Sequence, residues 1–329
     1  MANRDLSSDM NNTATDSTAV YEERVIPFMG ISKLAMAFSA LLIIISIGAI
    51  AVRGLNLGLD FTGGSLVELE YEQAPRVADV REALEEKGYT GFVVQQFGTD
   101  TSILVRLQQD FDQNLGNKIV ADLSSVEAMG DIELKRSEFV GAQVGEELKE
   151  QGGLGLLLAL ATIMVYISFR FVFKFSVGAV VALVHDVIIT IGAFALFQWD
   201  FDLNVLAAVL AVIGYSLNDT IVVYDRIREN FRAFRIESSQ QIIDISLTQT
   251  LSRTIVTGLT TLLVLLALYI FGGEALEGFA TALIIGIVIG TYSSIYVASS
   301  LLLATKVSKE DMMIPLKEGL DQDSPDYRP

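Results

Sequence analysis

The chain has 329 residues, 51% of them hydrophobic, with a mean hydropathy of +0.48 and a formal charge of −17. That is too apolar for an ordinary soluble domain, and the absence of cysteine excludes disulfides, thiol nucleophiles and thiolate metal sites. Residues 53–150 hold 19 acidic against 9 basic side chains, which argues against a nucleic-acid partner, because phosphate binding needs a basic face.

Residues 1–27 form a polar tail, rich in Ser, Thr, Asn and Asp, that is expected to be disordered and cytoplasmic. The first apolar run, 28–52, is long enough to cross a bilayer. Ala49-Ile50-Ala51 imitates a cleavage site, but the run exceeds a signal-peptide core and about thirty polar residues precede it. An uncleaved anchor is expected.

Residues 53–150 read as a separate α+β domain. Gly63-Gly64 marks a turn needing unusual backbone angles, and in the next strand Val67, Leu69 and Tyr71 alternate with Glu68, Glu70 and Glu72. A helix is expected from Pro75 to Lys87, strands over 92–97 and 102–107, a helix over 112–129 and a strand over 132–140. The order βαββαβ is the ferredoxin-like arrangement.

Five more apolar runs follow, at about 153–169, 176–197, 203–224, 254–271 and 278–305. The predicted fold is therefore an α-helical membrane bundle of six transmembrane helices, with the ferredoxin-like domain between helices 1 and 2. Arg170 and Lys174, Arg226, Arg228, Arg232 and Arg235, and Lys306 and Lys309 cluster in alternate connections; loops 198–202 and 272–277 have no basic residue. The positive-inside rule then puts both termini in the cytoplasm and the 53–150 domain outside. Within the connection 225–253, Ile227, Phe231 and Phe234 share one helical face, as suits an amphipathic helix lying on the inner leaflet. Ser238–Gln241 resembles a capping box for a further short helix. The last segment, 306–329, reads as a cytoplasmic tail like the first.

The costly residue is Asp219. A charge inside hydrocarbon costs ~2.5 kcal/mol or more, so such residues usually face a protein interior and work there. Ser216 and Asn218 flank it, and Tyr215, Asp219, Val222 and Arg226 share a helical face. Pairing Asp219 with Arg226 would span about 10 Å of helix. On the next span Arg253, Thr257, Thr260 and Thr261 form a matching stripe, so a switchable Asp219–Arg253 ion pair is expected, with a static pair as the alternative. Asp186 is a second intramembrane acid. Its neighbour His185 is the chain's only histidine and is either a packed side chain or a titrating one. On the last span Gly278, Ala282, Gly286, Gly290, Ser294 and Ala298 recur every four residues, a narrow face for close packing within the chain or against a partner. No P-loop, catalytic triad or metal cluster is present in the sequence, and an enzyme is not expected.

Several segments together resemble a known family: Arg53–Gly64 (RGLNLGLDFTGG, with Asp60, Phe61, Gly63 and Gly64), Glu138–Gly141, His185–Ile188, Gly214–Val223 (GYSLNDTIVV), Asp225–Asn230, Ser246–Thr254 (SLTQTLSRT) and Gly290–Tyr296. They are similar to the SecF proteins of the SecD/SecF family, within the RND transporter superfamily. The resemblance implies a protein-export subunit of the bacterial inner membrane that works with SecD, beside the SecYEG channel and the translocating preprotein. With six spans here, the SecD-like half is expected to be a separate chain. The resemblance also implies coupling to the proton-motive force, with Asp219 and Arg253 as the proton-relay residues and no cofactor besides protons as the coupling ion. A passive scaffold and an RND-type small-molecule permease are the rival readings.

Overall fold

The computed structural model describes residues 25–107, 112–126, 129–234, 238–308 and 311. The disorder expected for the two tails falls mainly on residues outside these, and Arg235 and Lys309 lie outside them too.

A 3-10 turn (Phe28–Ile31) leads into α1 (Ser32–Arg53), followed by β1 (Asn56–Leu57) and the short α2 (Leu59–Thr62). The sheet domain comprises β2 (Gly64–Tyr71), α3 (Val77–Glu86), β3 (Phe92–Gln96), β4 (Ser102–Leu107), α4 (Leu115–Ser124) and β5 (Ile132–Val140). Long helices follow: α5 (Ala142–Arg170), α6 (Phe173–Phe197), then β6 (Asp200–Phe201), α7 (Leu203–Ala233), α8 (Ser239–Phe271) and α9 (Glu274–Ser293). The last span runs on through a π-helical turn, Ser294–Ala298, into α10 (Ser299–Ala304). Six helical segments among the described residues are long and apolar enough to cross a membrane.

The four strands pair antiparallel in the order β3-β4-β2-β5. Val67, Leu69 and Tyr71 point to the face covered by α3 and α4, where they meet Val80, Leu84, Ile119 and Leu123. The opposite face is half-buried as well. There Leu66 and Leu104 pack with Leu59 of α2, and Glu68 pairs with Arg136 at 3.1 Å. The expected helix over 112–129 shrinks to Leu115–Ser124.

Several contacts fasten this domain to one end of the bundle. β1 pairs parallel with β6, and Gly58 N donates to Phe201 O at 2.8 Å. Asp200 accepts from Asn56 at 2.6 Å and Gln95 at 3.1 Å, and forms an ion pair with Arg106. Asp60 accepts from the Leu203 amide at 3.0 Å, filling one of the unsatisfied donors at the start of α7, and Phe61 stacks on Phe201.

In the bundle α6, α7 and α9 form the buried centre, while α1, α5 and α8 keep most of their apolar surface outward. The stripe of small residues on α9 faces α7. Ala282 is fully buried, and a Cβ at Gly278 or Gly290 would stand 2.9 Å from Val205 or 3.0 Å from Ser216. A Cβ at Gly286 would overlap Val212, whose branched side chain has little freedom to turn away. This face serves packing within the chain. Gly286→Val is accordingly expected to lower stability by about 2 kcal/mol or more, read as an earlier thermal melt in detergent, and Val212→Ala on the same background to restore part of it.

The connection between α7 and α8 differs from expectation. Residues 225–233 continue α7 and residues 239–253 open α8, and among the described residues no separate helix stands between them. Ile227 and Phe231 are buried among Ile242, Ile243 and Leu247, and Asn230 donates to Ser246 (2.8 Å) and Gln249 (2.9 Å). An amphipathic pattern states that an apolar face must be covered; here the chain covers its own. The capping box at Ser238 and Gln241 is formed, and it opens the long α8. Similarly α5 begins at Ala142, ahead of the apolar stretch expected to open at 153.

Candidate functional site

α7 is buried along Val205, Val209, Val212, Ser216, Thr220 and Tyr224, the i, i+3 and i, i+4 progression that faces α6 and α9. Asp219 lies beside this stripe, toward α8. Its Oδ1 accepts from Thr254 Oγ1 at 2.8 Å. The nearby Ser294 hydroxyl gives its hydrogen to the Gly290 carbonyl at 2.8 Å, which leaves Asp219 Oδ2 buried and without a hydrogen bond. An unpaired carboxylate oxygen in an apolar bundle is costly, and a proton is the smallest species that relieves it.

The expected Asp219–Arg253 ion pair is not formed. Arg253 is exposed, and its side chain makes no ion pair or hydrogen bond among the described residues; it acts on Asp219 through space. The reason is helix phase. The buried face of α8 runs through Ser246, Thr250, Thr254 and Gly258, one residue and about 100° from the Arg253–Thr257 stripe. Thr257 is therefore exposed too, its hydroxyl bonded back to the Arg253 carbonyl at 2.8 Å. Thr254, which the sequence reading passed over, is the actual contact; its spacing of four from Thr250 and Gly258 was the available signal. Asn218 also points out of the chain. Tyr215 is half-buried against α8, where a Cβ on Gly258 would stand 3.8 Å from its hydroxyl. Arg226 turns to Gln249 (2.7 Å) and Glu229 (2.9 Å), away from Asp219.

Asp186 is the most heavily bonded acid of the core. It is fully buried, its Oδ2 accepts from Ser216 of α7 (2.5 Å) and Ser293 of α9 (2.8 Å), and its Oδ1 from His185 Nδ1 (2.8 Å). Three helices thus meet at one carboxylate. The His185 ring lies over Tyr292, with centroids 6.4 Å apart.

The glycine motif after α1 stands at the junction, far from these acids. Gly63 and Gly64 have φ of +66° and +114°, and a Cβ on Gly63 would come within 2.6 Å of the Ala142 Cα at the start of α5. Among the described residues no set of His, Cys, Asp or Glu side chains gathers as a metal site.

Comparison with known proteins agrees with this architecture. Residues 120–308 match the family model described as protein export membrane protein SecD/SecF, C-terminal, and residues 48–75 match that of the SecD/SecF GG motif. The chain is 49% identical to the protein translocase subunit SecF of Pseudomonas aeruginosa over 91% of its own length and 98% of that protein's. It is 48% identical to the corresponding subunit of Vibrio alginolyticus, over 92% and 97%. Among solved structures it is similar to SecDF, a translocon-associated membrane protein from Thermus thermophilus, with a TM-score of 0.78 and 38% identity. That match covers 86% of this chain and 39% of the longer SecDF chain. Six apolar helices, a glycine-motif junction and SecF relatives along nearly their whole length identify a multi-pass Sec-pathway export protein: the chain belongs to the SecD/SecF family, on its SecF side.

Proposed function

We propose that this chain uses the proton-motive force, together with a separate SecD-like subunit beside the SecYEG channel, to assist late translocation and release of preproteins. In this reading it sits in the bacterial inner membrane with both termini cytoplasmic. The ferredoxin-like domain lies outside, where it handles the emerging chain. The basic groups at one end of the bundle, Arg170, Lys174, Arg226, Arg228 and Arg232, support that orientation.

The observation that carries the mechanism is the bare, buried Asp219 Oδ2. Protonation of Asp219 removes a buried negative charge, and with it the attraction that Arg253 feels across α8. Within its apolar stretch α8 is bonded to the core through Thr254–Asp219, whereas its bonds to Met29, Ile26, Val307, Asn230 and Arg226 lie in its first half. A change of charge at Asp219 therefore biases the position of α8, and α7, which begins at the sheet-domain junction, transmits it outward. Each proton crossing ~100 mV supplies about 2.3 kcal/mol, enough to bias a two-state motion roughly fifty-fold.

Asp219→Asn keeps the shape and the Thr254 contact while removing the titration. In energised vesicles carrying the channel and the partner subunit, this variant is expected to lose the gradient-dependent part of export. Undiminished, gradient-dependent export would sink the proposal and favour a passive scaffold.

A further inference from the structure

A second ionisable group lies deeper than Asp219 and plays no part in the cycle above. His185 is 2% exposed; its Nδ1 donates to Asp186, and its Nε2 is buried with no hydrogen-bond partner. The ring it faces does not fill that position: the Tyr292 hydroxyl donates to the Ala35 carbonyl at 2.6 Å and accepts from Ser39 at 3.1 Å. Asp186 meanwhile is ringed by donors alone, as suits a carboxylate anion. The couple is complete except at Nε2, and a neutral imidazole offers a lone pair there.

A polar seam also runs from the couple toward Asp219. Ser293, bonded to Asp186, and Ser294, beside Asp219, are consecutive, and both hydroxyls reach the Gly290 carbonyl, at 3.1 and 2.8 Å. Thr220, the residue after Asp219, closes on Ser294 at 3.1 Å. This polar seam crosses the otherwise apolar centre of the bundle. It abuts the π-helical turn Ser294–Ala298, a break in the regular ladder of the kind often found at functional sites.

We propose that His185 and Asp186 form a second proton-binding site, coupled electrostatically to Asp219 across the seam of Ser293, Ser294 and Thr220. This rests on the proton-coupled reading of Asp219. A proton adds to the Nε2 lone pair, the Nδ1–H stays directed at the Asp186 carboxylate, and the couple passes from a net single negative charge to a neutral ion pair. Release reverses the step, and no other bond changes. Because two anions in one low-dielectric bundle repel, a proton taken at one site loosens the hold of the other. The ionisable groups around His185 are Asp186 on its own helix, Tyr292 and Tyr296 on the last span, and Asp219 across α7; Lys33 on α1 is exposed.

With a single histidine in the chain, selective 15N-histidine labelling reports this ring alone. In the full-length protein in lipid nanodiscs, the two ring signals are expected to pass from the neutral to the cationic pattern as the pH is lowered while the protein stays folded. In Asp219→Asn, which lacks the second anion, the midpoint should be displaced from that of the wild type. Signals that keep the neutral pattern throughout the folded range, or an identical midpoint in Asp219→Asn, overturn the proposal. A second variant separates charge from packing. His185→Asn sets an amide nitrogen where Nδ1 stands and cannot take up the proton, so gradient-driven export in vesicles should fall although folding persists; wild-type export overturns the proposal. The spectra require no transport, so a failure of this site and a failure of the Asp219 reading are told apart.

Discussion

Gly63→Ala is expected to detach the sheet domain from the membrane bundle. Two independent penalties fall on this substitution. The backbone sits at φ +66°, a region that costs a non-glycine residue about 1–2 kcal/mol. The new Cβ would also stand 2.6 Å from the Ala142 Cα and 2.9 Å from its amide nitrogen, which are backbone atoms at the start of α5 and cannot swing aside. The contact is mutual, since a Cβ on Gly145 would meet the Gly63 nitrogen at 2.8 Å. Relief requires moving α5 away from α2, and with it the packing of Phe61 on Phe201. A loss of about 3 kcal/mol or more is expected, measured as an earlier thermal transition in detergent and faster proteolysis within residues 53–150. Gly91→Ala is the control: its φ is +65°, but nothing lies within 4 Å of the added carbon. It should show the backbone strain alone, and equal losses for the two variants would refute the close-approach argument.

Asp186→Ala should be the most damaging truncation among the intramembrane acids. It strands the Ser216 hydroxyl and the His185 Nδ1–H at the buried meeting point of three helices, and leaves Ser293 only its 3.1 Å bond to the Gly290 carbonyl. Leaving such buried donors unpaired costs about 3–5 kcal/mol in total, even after the removed charge no longer needs solvation. Asp219→Ala removes one hydrogen bond, to Thr254, and one bare carboxylate oxygen, so its loss should stay near 1 kcal/mol or vanish. Thermal unfolding of both variants in the same detergent tests the order. A greater loss at Asp219 would mean that the structural and the titrating acid have been assigned the wrong way round.

The same contrast explains what could be read in advance at the site. Asp219 and Asp186 stand out in any apolar run because a charge there demands a reason. Which of them is braced and which is bare depends on donors contributed by distant segments, Ser216, Ser293 and Thr254, whose approach no local pattern encodes. Arg253 shows the limit most sharply. On a helix one residue is about 100° of rotation, so choosing the stripe by its Arg and Thr content selected the outward face, while Thr254 next door faces the acid. The amphipathic stretch after residue 224 misled for a related reason. Ile227 and Phe231 repeat at helical spacing whether they are covered by lipid or by Ile242 and Leu247.

By itself the sequence determined the elements: apolar runs of bilayer length, the alternation of β2, the order of strands and helices in the sheet domain, the capping box at Ser238, and the small-residue stripe of the last span. Each of these is a local property, set by backbone hydrogen bonding, side-chain period and the hydrophobic effect within one segment. Which faces meet follows from the packed fold. It turned the glycine stripe onto α7, packed Ile227 and Phe231 against the start of α8, set Arg253 outward, and gathered Ser216, Ser293 and His185 around Asp186. Those outcomes depend on the fit of side chains brought together from across the chain, where a rotation of one residue exchanges a buried contact for an exposed one.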